Sequence, residues 1–517
     1  MIQKLLFSIL SATTPVISFS QAPSIEWEKS FGGSGSDGGF SIAQTSDLGF
    51  IISGNSDSND GDVSGNHGSS DYWIVKLDTN NSIMWQKSLG GSGFEYCSWI
   101  EQTVDGGYIV CGGSNSNDGD VLGNHGQDDY WIVKLASTGA IQWQKCLGGT
   151  QGDKARCIRQ TTDGGYIIAG STSSNNIDVS GNHGNIDFWI VKLYAGGTIQ
   201  WQKCLGGSND DVAFAIQQTS DGGYVVAGFS NSNDGDVTNN HGNLDYWVVK
   251  LDSSGSIQWQ KSLGGSAADF LFFVMQTLDG GYILGGDTDS NDGDITENHG
   301  DADCWIVKLD SSGTIQWQKS YGGTAYDYVG TICQSSDSSY IICGVTASND
   351  VDVSGNHGSS DYWVFKINGQ GIVQWQKCLG GTSNDSGSDV VQTNDGGYII
   401  TGVANSTDGD VTNSHSNGDY WIVKLAADSI IGIHDLVSKK NIFVYPNPSD
   451  GIFNVDFSFT KKANSQIEVY NSLGRLQKVY DVKNYIEKVD LSSFISGIYI
   501  LRIIDENSSA SVKLIKK

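Results

Sequence analysis

The sequence predicts an all-β chain. A seven-bladed β-propeller of 58-residue repeats comes first, its last blade closed by the N-terminal strand, and a small Ig-like β-sandwich follows. Three observations carry this reading. Trp27, Trp85, Trp143, Trp201, Trp259, Trp317 and Trp375 stand 58 residues apart, and Trp73, Trp131, Trp189, Trp247, Trp305, Trp363 and Trp421 form a second series with the same spacing. Self-similarity at a fixed period marks a repeat architecture, and no unit carries an insertion. The chain also begins its first unit at a fourth strand and ends its last unit after a third, so the two ends complement one another.

Each unit holds four runs rich in Ile, Val, Tyr and Trp and bounded by Gly, Asn and Asp, the composition of short strands. In the second unit they are "FEYCSWIEQT", "GGYIVCGGS", "DYWIVKLA" and "GAIQWQKCLGG". The first two are joined by "VDGG", which has hairpin chemistry. Four antiparallel strands repeated seven times predict propeller blades over residues 24–425. Residues 24–33 then supply the missing fourth strand of the last blade and remove an open sheet edge.

Composition narrows the function classes. The chain has 517 residues, 68 Gly and a formal net charge of -28. An acidic surface argues against a nucleic-acid partner, which needs a basic face. Residues 1–20, "MIQKLLFSILSATTPVISFS", pair Lys4 with an apolar run and small residues, the pattern of a secretory signal peptide. No later run is apolar and long enough to predict a transmembrane segment. The nine cysteines contain no C-x-x-C and read mostly as small buried residues. Cys333 and Cys343 flank the turn "SSDSSY", and a disulfide between them is expected.

The predicted loops between second and third strands share one face with the connections between blades. Each carries an aspartate and a histidine: Asp62 and His67, Asp120 and His125, Asp178 and His183, Asp236 and His241, Asp294 and His299, Asp352 and His357, Asp410 and His415. A further aspartate precedes each aromatic-Trp pair, the first being Asp71, and the connections add Asp37, Glu95 and their counterparts. Three readings stand side by side. In the first these residues organise the loops, because Asp and Asn beside Gly bond their own backbone; WD-type propellers pack on a comparable His–Asp–Ser–Trp network. In the second, calcium is the cofactor, held by Asp60 with Asp62, Asp118 with Asp120, Asp234 with Asp236, Asp292 with Asp294 and Asp408 with Asp410. That set is uneven, since the third unit reads "NNID" and the sixth "NDVD". In the third, a ring of polar and aromatic side chains meets a glycan or another surface ligand. On the opposite face, "TSDGGY" resembles the Asp-box of sialidase propellers, which implies a structural turn.

After Lys424 the pattern stops. Residues 426–437 read as a linker, and from 438 Gly becomes scarce and Lys common. The segments "VYPNPSDGIFNV", "VYNSLGRL", "LSSFISGIYILRI" and the terminal "KLIKK" resemble the type IX secretion C-terminal sorting domain, type A, of Bacteroidota. The motif positions are Tyr445, Pro446, Asn447, Pro448, Gly451, Gly497 and Tyr499. The resemblance implies partners in the type IX machinery and its sortase. It also implies a route through the Sec pathway to the cell surface or medium. The leading functional reading is a non-enzymatic binding or adhesion module for glycan or a surface ligand. The alternative is a secreted enzyme acting on polysaccharide, which the near-identity of the repeats disfavours, because catalysis needs unlike groups with unlike pKa values. No catalytic residues are expected.

Overall fold

The structure, a computed structural model, describes residues 21–415, 417–428, 443–445, 449–456, 466–471, 476–482, 486–505 and 508–517. The expected signal peptide, Pro446, Asn447, Pro448 and most of the expected linker lie outside them. The chain divides into two compact units between Ala427 and Asp428.

The first unit is built of strands that form seven four-stranded antiparallel sheets. Their first strands are Asp37–Gln44, Glu95–Gln102, Asp153–Gln160, Asp211–Gln218, Asp269–Gln276, Asp327–Gln334 and Asp385–Gln392. Six sheets take four consecutive strands, and the seventh takes three and is completed by Ile25–Phe31, which pairs with Asp419–Leu425. The third strands, such as Asp71–Leu77, are buried at every position. A strand covered on both faces needs a continuous apolar run, and "DYWIVKL" supplies one. Its lysine is the exception. Lys76 is buried, and its Nζ lies 3.0 Å from the Asp47 carboxylate of the turn and 2.8 Å from the Leu77 carbonyl. Both the turn and the buried cation therefore recur in every unit.

The repeated words of the sequence have a packing cause. The indole N–H of Trp73 donates to Gln86, the Gln of "WQK", at 2.9 Å, and five further sheets repeat the bond. In the seventh sheet Glu28 of "WEK" accepts it from Trp421 at 2.8 Å. An indole N–H buried without a partner is costly, which explains why an acceptor follows at this position each time. Sheet packs on sheet through the residue before each Trp. Tyr72 lies on Trp131 of the second sheet with ring centroids 4.6 Å apart, and Tyr420 of the seventh sheet lies on Trp73 of the first at 4.5 Å. Their hydroxyls donate to the carbonyls of Trp131 and Trp73. The seventh sheet thus packs on the first as each other sheet packs on its successor, and Ile399, Tyr420 and Ile422 share a core with Ile52 and Trp73.

The expected disulfide is corrected. The hairpin register pairs Cys333 with Ile341 and Cys343 with Thr331, and all nine cysteines are free. The turn is centred on Asp337, one residue earlier than symmetry between the cysteines requires. The two are therefore diagonal neighbours, too far apart for a sulfur–sulfur bond.

In the second unit, the described strands form two sheets. Phe443–Tyr445, Ile452–Asp456 and Ile486–Asp490 make one, and Leu476–Asp481, Gln466–Asn471, Gly497–Asp505 and Ser508–Lys516 make the other. Both contribute to one core, with Phe453, Val455 and Val489 from the first and Ile467, Val469, Leu501 and Leu514 from the second. Gly451 has φ 125°, and a Cβ there would come within 2.8 Å of the Ser492 Cα, so the motif glycine is required sterically. Tyr499 is buried, and its hydroxyl donates to the Ile495 carbonyl at 2.8 Å. Tyr445 ends the first strand, and Gly497 begins the long one.

Candidate functional site

The loop residues singled out in the sequence bind one another and the backbone. Each histidine meets the aspartate four residues on. The His67 Nδ1 is 2.7 Å from Asp71 Oδ2, and the same oxygen accepts the His67 backbone N–H at 3.0 Å. His125, His183, His241, His299, His357 and His415 repeat the pair at 2.6–3.0 Å. Burial pushes the Asp71 carboxyl up, against the pull of His67, and it raises Asp129 to about 6. The connection acids are also occupied: Asp37 accepts the Gly33 N–H at 2.7 Å and the Ser58 hydroxyl at 2.8 Å.

The aspartates assigned to calcium accept backbone amides of the neighbouring connection. Asp60 takes the Ser34 N–H at 2.7 Å, and Asp118, Asp234, Asp292 and Asp408 take their equivalents at 2.7–2.8 Å. In the third unit Asn176 does the same for Thr150 at 3.0 Å. An acceptor is needed at this position, and a carboxamide serves as well as a carboxylate. The second aspartate of each loop holds the preceding connection: Asp62 N–H donates to the Gly32 carbonyl at 2.9 Å, and Asp62 Oδ2 faces the Gly32 N–H at 3.4 Å. Asp178, Asp236 and Asp294 face their glycines at 3.2–3.3 Å. Asp120, Asp352 and Asp410 donate to Gly90, Gly322 and Gly380. Among the described residues no group of three or more His, Cys, Asp or Glu is placed to hold a metal ion.

A second location emerges only in three dimensions. Every first strand carries a β-bulge at the same place, seen as a register shift between Gly39 and Ser41, Cys97 and Trp99, Ala155 and Cys157, and so on through Gly387 and Asp389. The residue skipped in each case is Phe40, Ser98, Arg156, Phe214, Phe272, Gly330 or Ser388. A bulge leaves its extra residue out of the ladder and re-aims the side chain. All seven of these residues line one cavity of about 460 Å³, so every sheet contributes to it. A volume of this size suits a small organic ligand.

The cavity wall is not repetitive. Two of its aromatic residues are in contact: Phe214 and Phe272 meet edge to face at 5.0 Å. Two cations of the wall lie beside its rings: the Arg156 guanidinium is 5.1 Å from the Phe214 ring centre, and the Lys154 Nζ is 5.9 Å from that of Tyr96. Lys154 has a carboxylate partner in Asp128 at 3.8 Å. Buried Arg156 Nε and Tyr96 Oη have no hydrogen-bond partner. Tyr96 fits because Gly113 stands opposite, where a Cβ would collide with its hydroxyl. Below lies a second cavity of about 480 Å³, and Trp99, Arg159 and Phe273 line both. Arg159 stacks 4.1 Å over Trp99 and lies 3.7 Å from the Glu101 carboxylate, whose pKa burial pushes up against the pull of that cation.

Reading the repeats for identity missed these residues. The signal was present as difference: the column from Phe40 to Ser388 has the 58-residue spacing and holds Phe, Ser, Arg, Phe, Phe, Gly and Ser.

Comparison with known proteins matches residues 443–517 to the secretion system C-terminal sorting domain. No curated protein matches the chain. Among solved structures, it is similar to the extracellular domain of a putative one-component system from B. thetaiotaomicron, at 10% identity and a TM-score of 0.40. That match covers 96% of this chain and 59% of that one. It is also similar to PorZ, a surface component of the type-IX secretion system of Porphyromonas gingivalis, at 10% identity and a TM-score of 0.25 over 97% of this chain and 86% of that chain. Prolyl oligopeptidase B from Galerina marginata is similar at 10% identity and a TM-score of 0.39, over 83% and 56%. The last segment of the chain, residues 443–517, is thus a type IX secretion C-terminal sorting domain, which supports export of the protein to the cell surface or medium.

Proposed function

We propose that the protein is an exported, non-enzymatic binding module: a seven-bladed propeller that takes a glycan in the cavity shared by its seven first strands. The route begins with the signal peptide at residues 1–20 and the Sec pathway, and the type IX machinery and its sortase then act on residues 438–517. The packing of the seventh sheet on the first supports the propeller reading. The observation that carries the binding role is the cavity itself. Its scaffold repeats, yet its wall does not, and it joins aromatic faces to polar groups that lack partners. Aromatic rings stack on the apolar face of a sugar, and a few placed polar groups fix its orientation. The loops of Asp62, His67 and their counterparts are read as architecture, and no calcium is assigned to them.

A panel of soluble polysaccharides, titrated into the purified chain with tryptophan fluorescence as readout, tests this reading. Trp99 lines the cavity, so occupancy shifts its emission. The double substitution F214A/F272A is expected to weaken the best binder at least tenfold. Binding that survives this pair at full strength would move the site elsewhere.

A further inference from the structure

We infer that the cavity selects an acidic sugar, a ring carrying a carboxylate, with Arg156 as the residue that reads the acid group. The inference rests on the glycan reading above and deepens it. Its starting point is the charge distribution. The chain carries 58 Asp and Glu against 30 Lys and Arg, and a neutral ligand gives it no reason to place cations at a binding cavity. Among the seven first strands only Asp153–Gln160, "DKARCIRQ", contains Lys or Arg, and it contains three. The equivalent strands read "DGGFSIAQ", "EYCSWIEQ", "DVAFAIQQ", "DFLFFVMQ", "DYVGTICQ" and "DSGSDVVQ". All the positive charge that these strands bring to the cavity thus enters from one side.

The three cations are not equivalent. Arg159 sits between the two cavities, over Trp99 and beside Glu101, and is already offset. Lys154 is exposed and shares charge with Asp128. Arg156 is the bulge residue of its strand, so its side chain is re-aimed into the cavity. It lies against Phe214, and its Nε has no hydrogen-bond partner. A guanidinium presents a planar fork of donors, and that fork matches the two oxygens of a carboxylate. The adjoining Phe214 and Phe272 provide the ring-stacking wall, so a sugar on the aromatics places its acid group toward Arg156. Tyr96, also in the cavity wall, has a hydroxyl without a partner.

The test uses the full chain and two defined probes, digalacturonate and its neutral counterpart galactobiose, titrated calorimetrically at low salt. Digalacturonate is expected to bind at least tenfold more tightly than galactobiose and to weaken as salt rises through the screening range. Arg156→Gln is expected to abolish the difference between the probes, with an unchanged melting temperature showing that the fold is intact. Arg156→Lys is expected to retain part of the preference, since it keeps charge and loses the fork. Equal binding of the two probes would overturn the acid inference while leaving the glycan reading in place. Failure of both probes, with neutral polysaccharides also inert, would overturn the glycan reading and this inference with it. A preference that survives Arg156→Gln would overturn the assignment of Arg156.

Discussion

At the residue scale, the loop between second and third strands shows how a backbone requirement leaves a mark in the sequence. Gly61 of "NDGD" has φ 64°, and a Cβ there would meet the Gly32 carbonyl at 2.4 Å. In the units that lack this glycine, Ile177 and Val351 adopt φ 62° and 56°. The next backbone bond is longer in those two units: Asp178 to Gly148 is 3.2 Å and Asp352 to Gly322 is 3.1 Å, against 2.9 Å for Asp62 to Gly32. β-branched residues are disfavoured in this region by about 1–2 kcal/mol. Val351→Gly is therefore expected to stabilise the first unit by about 1 kcal/mol in urea titration, the unfolded-state entropy of glycine offsetting part of the gain. Gly61→Val should destabilise it by more than that. A loss of stability in Val351→Gly would show that the side chain contributes packing that outweighs its strain. The same residues explain why "NNID" and "NDVD" are tolerated: the loop needs an acceptor and a positive φ, and it does not need a fixed set of carboxylates.

At the scale of elements, the informative features are the strand that crosses from one end of the chain to the other and the bulge. Ile25–Phe31 covers the edge of Asp419–Leu425. It also brings Glu28 to the Trp421 indole and Glu26 to Lys424, at 2.8 and 3.1 Å. Deleting residues 24–33 would leave an open edge, an indole without its acceptor and a buried lysine with one carboxylate partner, its turn aspartate, where it now has two. A clear drop in melting temperature is expected, with loss of two-state unfolding. Glu28→Gln should melt almost as the parent does, because six other sheets use Gln at this place. An unchanged melting temperature in the deletion would remove the case for closure. The bulges decide function in the proposed reading. A one-residue irregularity converts a repeated strand into a display of seven unlike side chains.

Over the molecule as a whole, the acidity has a stated consequence for stability. Burial raises Asp129, Asp211, Asp269 and Asp327 to about 6, from an ordinary aspartate value near 3.8. Between those values the folded chain binds more protons than the unfolded chain, so stability falls as pH rises through the window. The turn aspartates act in the opposite sense. The Thr103 hydroxyl, working against burial and aided by the Gly107 N–H and Lys134, holds Asp105 at about 2. At Asp163 and Asp221 burial is outweighed by the equivalent threonine, backbone and lysine contacts, and both also stand at about 2. Below pH 3.8 the unfolded chain binds more protons at these groups, and stability is lost as pH falls toward 2. The melting temperature is therefore expected to peak near pH 4 and to be several degrees lower at pH 7.5. A melting temperature that rises from pH 4.5 to 7.5 would show that the buried carboxylates are better stabilised as anions than their surroundings indicate.

Much was legible in the sequence. Its period set the strand content, the repeat boundaries and the N-terminal strand as partner of the last sheet, because hydrophobic periodicity and turn residues act locally and recur. The tail was legible because its motifs are short, ordered and specific. The aromatic residue before the Trp, as at Tyr72 and Tyr420, forms contacts between sheets. What the sequence left open depends on register. The Cys333–Cys343 expectation failed because the hairpin is centred one residue from the symmetric point, and a shift of that size is decided by turn geometry in three dimensions. The cavity was hidden for a related reason. Its residues lie 58 positions apart and share no motif, and only the bulge and the packing of neighbouring sheets bring Arg156, Phe214 and Phe272 together. By itself the sequence determined the repeating scaffold and the export signal, which rest on local pattern. The cavity wall was decided by tertiary structure, because it is made from the positions where the pattern breaks.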